Sequence, residues 1–292
     1  MTGEFSIMIE LPFKIDLAGR VAVVTGGSGI LGSVMARALA ACGGKVVVLG
    51  RTLEKAQAVA DHIVNEDGNA IAVAADVLNR ESLAEAYRKI RQHYGSCDIL
   101  VNCAGGNHPK ANTSKDVCNY EDVLDESCRS FYDLDINGVS EVFNLNFIGT
   151  LLPTQVFTRE MVTEKRGGVV INISSMSAFS PLTRIPAYSG AKAAVSNFTR
   201  WLAVHFAPVN IRVNAIAPGF FLTEQNRSLL LTENGELSER AKKIISHTPL
   251  GRFGRPEELL GALLFLVDNK SGSFVNGTVI PVDGGFDAYS GV

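Results

Sequence analysis

The chain has 292 residues, of which 46% are hydrophobic and 20% charged, and its formal net charge is −3. That size and composition suit one large α/β domain with a sizeable core and exclude a disordered chain. There is no basic excess to neutralise phosphates, which argues against nucleic acid as a partner. Residues 1–13 have neither a basic start nor a long apolar core, so they do not read as a signal peptide. The first β-branched run, 21–25, predicts a strand, and the glycines after it open an Ala-rich helix that runs to residue 41. Gly43 and Gly44 close that helix, as glycine does beyond a helix C-terminus. Residues 45–49 form the second predicted strand, and 52–66 a helix capped by Thr52. A strand over 70–75, a helix over 80–93 and a strand over 99–103 follow. Next come a helix from about 145 to 165, a strand over 168–173, a long helix over 187–206, and strands over 211–216 and 278–282.

Strands and helices alternate, and the strands are apolar without interruption. That pattern predicts a single-domain, doubly wound parallel sheet covered by helices on both faces. Two stretches break the alternation, 106–142 and 220–248. Both leave from carboxyl ends of strands, where open α/β sheets bind ligands, so both are expected to border the substrate cleft. The apolar run 259–267 is far short of the roughly 20 residues needed to cross a bilayer, which predicts a soluble, cytoplasmic protein. The five cysteines include no CxxC pair, which argues against a disulfide framework. Cys118 and Cys128 read as ordinary loop cysteines rather than metal ligands.

Three motifs carry chemistry. The first is Thr25-Gly-Gly-Ser-Gly-Ile-Leu-Gly32, which joins the first strand to the first helix. Glycines there let the backbone turn sharply and approach a pyrophosphate, while the helix N-terminus offers free N–H groups. Gly26, Ser28, Gly29, Ile30, Leu31 and Gly32 are therefore candidate cofactor contacts. The second strand then ends at Gly50-Arg51, where an acid would hold the ribose of NAD. Two readings of Arg51 stand: a partner for the 2′-phosphate of NADP, or a solvated loop arginine. Asp76, after the third strand, is either an acceptor for the adenine amino group or a turn residue.

The third motif is Tyr188-Ser-Gly-Ala-Lys192 at the start of the long helix, which puts Tyr188 and Lys192 on one face. A free phenol has a pKa of about 10, and a nearby ammonium favours its ionised form. Ser175 ends the fifth strand thirteen residues earlier and can hold a substrate oxygen beside the phenol. Asn146 can anchor a water chain to Lys192.

The glycine loop, Asp76-Val77, Asn102-Cys-Ala104-Gly105, Asn146, Ser175, Tyr188, Lys192 and Pro218-Gly219-x-x-x-Thr223 stand in an order that resembles the short-chain dehydrogenase/reductase family over about residues 16–286. The resemblance implies a doubly wound sheet of seven strands, NAD or NADP as cofactor, and a homotetramer or homodimer. It implies hydride transfer with Tyr188 as general acid/base, Lys192 lowering its pKa and binding the nicotinamide ribose, and Ser175 orienting the substrate. It also implies a relay role for Asn146 and a carboxamide contact for Thr223. Val77, Asn102, Ala104, Gly105, Pro218 and Gly219 join the expected cofactor contacts. The sequence departs from the family pattern at Ile30, where glycine is usual, at Cys103, where a second asparagine is usual, and by an insertion at 107–142.

Within that family, Gly105-Gly-Asn-His-Pro-Lys110, Ser175-Met176, 201–206, 217–227 and 282–292 resemble the fructuronate reductases (D-mannonate oxidoreductases). This implies D-fructuronate and D-mannonate as the substrate pair. An aldonate carries one carboxylate and many hydroxyls, so its site needs a cation with amide or hydroxyl partners. Asn107, His108, Lys110, Met176, Arg184, Gln225, Asn226 and Arg227 are the candidate substrate residues, with Arg184 or Arg227 on the carboxylate. Each polar one is as well explained by solvent exposure. Two alternatives remain: the same chemistry on a ketogluconate or 3-oxoacyl compound, and a non-catalytic nucleotide sensor. The second is disfavoured because Tyr188 and Lys192 are both present.

Overall fold

The structure is a computed structural model and describes residues 15–222, 230, 232 and 234–291. Seven parallel strands are ordered β3-β2-β1-β4-β5-β6-β7. They are β1 (Val21–Thr25), β2 (Lys45–Gly50), β3 (Asn69–Ala74), β4 (Ile99–Asn102), β5 (Gly168–Ile173), β6 (Ile211–Pro218) and β7 (Val279–Val282). Side chains alternate faces along each strand, so neighbours enter different cores. Val24, Val46, Val48, Val101 and Ile171 pack on one face. Val23, Val47, Leu49, Leu100 and Val170 pack on the other. Burial on both faces is why the strands read as unbroken apolar runs.

One helical layer holds α1 (Ile30–Ala41) and α2 (Leu53–Asn65); the other holds α3 (Arg80–Tyr94), α5 (Gly149–Thr163) and α6 (Pro186–Phe206). Gly43 takes φ +86° after α1, and the Gly44 N–H reaches the Leu39 carbonyl at 3.1 Å, so the glycine pair ends the helix as expected. Thr52 precedes α2, but its side chain makes no capping hydrogen bond.

The helix expected to begin near residue 145 starts earlier. Asp135 caps α4 (Ile136–Phe143) by accepting from the Asn137 N–H at 3.0 Å. A π-helical turn, Asn144–Ile148, then joins α4 to α5. The last part of the insertion is therefore the first part of this long helical run. Earlier in the insertion stand three 3-10 turns, Pro109–Ala111, Tyr120–Val123 and Phe131–Asp133. Ala111 is fully buried with Val142, Ala187 and Ala191, which fastens the insertion to the start of α6. Beyond β6 come α7 (Glu239–Ser246), capped by Ser238 on the Ala241 N–H at 3.2 Å, and α8 (Leu260–Val267). No helix of the described residues is long and apolar enough to cross a membrane.

Candidate active site

β1 pairs with β2 on one side and β4 on the other, so the chain reverses its direction of winding between β1 and β4. A cleft of about 810 Å³ opens at the carboxyl ends of these strands. Its lining begins at Gly26, Ser28, Gly29, Ile30, Leu31 and Gly32 and ends at Ser175, Tyr188 and Lys192. This is where a doubly wound sheet binds a dinucleotide.

The loop geometry requires its glycines. Gly26 has φ +62°, and a Cβ there would lie 2.8 Å from the Ala104 Cα. A Cβ on Gly32 would lie 2.3 Å from the Gly26 carbonyl oxygen. Ile30 takes the first position of α1 and lines the cleft, and no side chain caps this helix end.

Further along, Leu49, Gly50, Arg51, Thr52, Lys55, Ala75 and Val77 line the cleft. Thr52, Lys55, Leu145 and Ser174 were missed by sequence reasoning. Lys55 stands in the first turn of α2, just past Arg51. Among the described residues none of the cleft lining is acidic, while Arg51, Lys55 and Lys192 are cationic. A dianionic pyrophosphate fits that lining. Ala104, Gly105, Pro218 and Gly219 also line it.

Two other expected cofactor residues are not part of that lining. Asp76 is exposed, and its carboxylate accepts from the Leu78 N–H at 2.9 Å within its own turn. Asn102 is buried in a side-chain ladder, donating to Thr154 Oγ1 and to Asn172 Oδ1 at 2.9 Å each. Asn172 in turn donates to Thr199 Oγ1 at 2.9 Å. That ladder holds α5 and α6 to the sheet directly below the cleft. Thr223 lies outside the described residues.

At the catalytic end, Lys192 is 5% exposed and its Nζ donates to the Ile173 carbonyl at 2.7 Å. The same Nζ stands 5.7 Å from the centre of the Tyr188 ring. Burial lowers the Lys192 pKa to about 8. Burial pushes the Tyr188 phenol up to about 12, against the nearby Ser175 hydroxyl, which favours the phenolate. The lowering of the Tyr188 pKa expected from Lys192 is not among the causes that act in the protein alone, where desolvation dominates and the Ser175 hydroxyl is what opposes it. Ser175 Oγ accepts from the Ser177 N–H at 3.2 Å and the Ser177 hydroxyl at 3.0 Å, leaving its own proton to donate.

Asn146 sits in the π-helical turn and is fully buried. Its Nδ2 donates to Gly106 O at 2.7 Å and to Val142 O at 2.8 Å, and its Oδ1 accepts from the Gly106 N–H at 3.3 Å. Single-turn π segments recur at functional sites. Here the turn aims one carboxamide at the loop beside Lys192. A Cβ on Gly105 would lie 2.8 Å from Asn146 Oδ1 and 3.2 Å from Lys192 Nζ. Gly105→Ala is therefore expected to lower kcat by about tenfold or more with a small change in Tm, read by steady-state kinetics beside thermal melting.

The expected substrate residues are dispersed. Asn107 donates to Asn112 Oδ1 at 3.0 Å. His108 Nδ1 accepts from the Lys110 N–H at 3.2 Å, its Nε2 stands 3.6 Å from Glu141, and Lys110 is exposed. Met176 is buried behind Ser175. Arg184 donates through Nε to the Thr113 carbonyl at 3.3 Å and lines a separate cavity. Gln225, Asn226 and Arg227 lie outside the described residues.

The sequence matches the family model for short chain dehydrogenase over residues 20–234. The chain belongs to that family. It is accordingly an oxidoreductase that depends on NAD or NADP. It is 53% identical to an uncharacterized oxidoreductase of Bacillus subtilis, over 97% of this chain and 100% of that one. It is 51% identical, with a TM-score of 0.91, to a Haemophilus influenzae protein provisionally named D-mannonate oxidoreductase and solved with NAD bound; the match covers 95% of this chain and 98% of that one. A gluconate 5-dehydrogenase of Burkholderia cenocepacia, solved with NADP and tartrate, matches with a TM-score of 0.80 at 28% identity, over 94% of this short-chain dehydrogenase and 98% of its own length.

Proposed function

We propose that the protein reduces a keto sugar acid to its hydroxy acid, with D-fructuronate and D-mannonate as the pair. The observation that carries this reading is the cleft lining, which runs from the glycine loop to Ser175, Tyr188 and Lys192 and holds cations without an acid. An anionic substrate meets no repulsion there. The likeness to the Haemophilus protein supports the choice of sugar acid. The likeness to a gluconate 5-dehydrogenase favours a second reading, a 5-ketogluconate substrate for the same chemistry. Comparing kcat/KM for fructuronate, 5-ketogluconate and a 3-oxoacyl thioester separates these. A preference for the thioester overturns the sugar-acid reading.

In this mechanism Ser175 donates to the substrate carbonyl oxygen and fixes it beside Tyr188. A phenol with a pKa of about 12 holds its proton at neutral pH and is ready to donate it to the ketone. Bound nicotinamide supplies the hydride and, once oxidised, a positive charge. Lys192 holds its ammonium against the Tyr188 ring and favours the phenolate left behind. Asn146 braces the Gly105-Gly106 backbone against which Lys192 packs, and in the expected relay returns the proton through water.

The sign of the pH dependence follows. Reduction needs the protonated phenol and is expected to change little between about pH 6 and pH 8, whereas oxidation needs the phenolate and rises about tenfold per pH step. Paired pH–rate profiles check this. An oxidation rate that is flat across that range contradicts the role of Tyr188.

For the cofactor, Arg51 and Lys55 make both NAD and NADP acceptable. Arg51→Ala is expected to lower kcat/KM with NADPH by roughly 10- to 100-fold and to leave the value with NADH nearly unchanged, since a charge-assisted hydrogen bond contributes about 1.5–3 kcal/mol. The proposed assembly is a homotetramer or homodimer. It is supported by exposed Trp201 and Val204 on the outer face of α6.

A further inference from the structure

A second cavity, about 290 Å³, lies between the insertion and the loop leading into α6, and it shares no lining residue with the dinucleotide cleft. Arg129 and Arg184 both line it. Two consecutive residues, Thr113 and Ser114, bring them together. Thr113 donates its N–H to the Arg184 carbonyl at 2.9 Å and accepts from Arg184 Nε at 3.3 Å. Ser114 donates its N–H to the Arg129 carbonyl at 2.8 Å, and its Oγ accepts from the Arg129 N–H at 2.8 Å. Arg184 is held at φ +69°, a region uncommon for a residue with a Cβ, and strain of this kind persists where the surroundings impose it.

The charges do not cancel inside this cavity. Lys115 is paired with Asp122, and Asp116 is taken by Lys243 and by the Thr183 hydroxyl. Asp133, which feels the charge of Arg129, is occupied by Ser130 at 2.6 Å and 2.9 Å. Arg129 gives one Nη1 hydrogen bond to the Pro109 carbonyl at 3.0 Å. Among the described residues no carboxylate is ion-paired with either guanidinium, although Asp116 on the same lining feels the charge of Arg184 and Asp133 that of Arg129, so each guanidinium keeps N–H donors for a further acceptor. Two guanidinium-bearing residues on the lining of one cavity supply the donor type that a carboxylate or phosphate takes. The volume lies just below the usual range for ligand pockets, about 300–1,000 Å³, and suits a small anion.

We propose that this cavity is an oxyanion site, separate from the catalytic cleft, that takes a small carboxylate or phosphate group on Arg129 and Arg184. An anion seated there ties the insertion to the loop preceding Tyr188. The proposal stands whether or not the protein turns over fructuronate, because neither probe below is a substrate.

Calorimetric titration of inorganic phosphate, and separately of malonate, into the full chain saturated with NAD tests it; NAD keeps the glycine loop occupied. At least one anion is expected to bind, with its Kd raised tenfold or more by Arg129→Gln and by Arg184→Gln. Binding of phosphate alone assigns a phosphate ligand, and binding of malonate alone a carboxylate ligand. Thermal melts report whether each variant folds. If Arg184→Gln does not fold, Arg129→Gln decides. Failure of both anions to bind, or unchanged affinity in the folded variants, overturns the proposal.

Discussion

Replacing Tyr188 with phenylalanine is expected to lower kcat by about 10²- to 10⁴-fold in both directions while cofactor affinity stays almost unchanged. The substitution removes one hydroxyl and little else. The ring remains to pack with Ala111, Val139 and Val142, so the start of α6 keeps its place. What disappears is the only phenol in the lining of the cleft among the described residues. Loss of a proton donor is expected to lower the rate of the chemical step without loosening the dinucleotide, because the proposed contacts of its pyrophosphate are with the glycine loop. Steady-state kinetics together with a fluorescence titration of reduced cofactor check both halves. Unimpaired turnover contradicts the mechanism.

Lys192→Met has a second large effect, and it acts on rate and stability in opposite directions. The rate is expected to fall by about 10²-fold, because an opposite charge beside a phenol shifts its pKa by about 1–3 pH steps and the neutral thioether leaves the phenolate unsupported. Stability changes the other way. The folded-state pKa of Lys192, about 8, lies below its ordinary value of 10.5, so the unfolded chain binds the proton more tightly. Burying the ammonium costs about 3 kcal/mol at neutral pH, and that cost disappears as pH rises from 8 toward 10.5. Wild-type protein should therefore gain stability from Lys192 across that window, and Lys192→Met should lack this gain. Loss of the bond to the Ile173 carbonyl offsets part of the benefit at pH 7. Denaturant melts of both proteins at pH 7, 8 and 9 measure the difference. A Lys192→Met protein that is both less stable at every pH and fully active would contradict this account of the site.

Much of the fold was legible because its physics is local. Residues 45–49 read as a strand, and β2 runs over Lys45–Gly50, since an apolar run buried on both faces has few other solutions. The glycine pair after α1 marked the helix end through backbone freedom alone. The start of the long helical run was less legible. Asp135 is a good cap, but the helix it begins passes through a π turn at Asn144–Ile148, whose extra residue breaks the 3.6-residue pattern. The core of the site, Ser175 with Tyr188 and Lys192, was readable because spacing on one strand end and one helix face fixes it. At the rim, Asn107, His108 and Arg184 were expected around the cleft because they lie near strand ends that meet it, and each is engaged by a neighbour in the insertion. Those partners are 2–71 residues away in the chain, and nothing in the spacing announces the distant ones.

The most direct test of the central claim follows the hydride itself. Reduced cofactor carrying deuterium at both positions of the nicotinamide C4 is incubated with D-fructuronate and the purified protein, and the product is analysed by mass spectrometry. The account predicts D-mannonate carrying one deuterium on the new carbinol carbon for each cofactor oxidised. Mannonate without deuterium, or no product while the protein reduces an uncharged ketone, would contradict it.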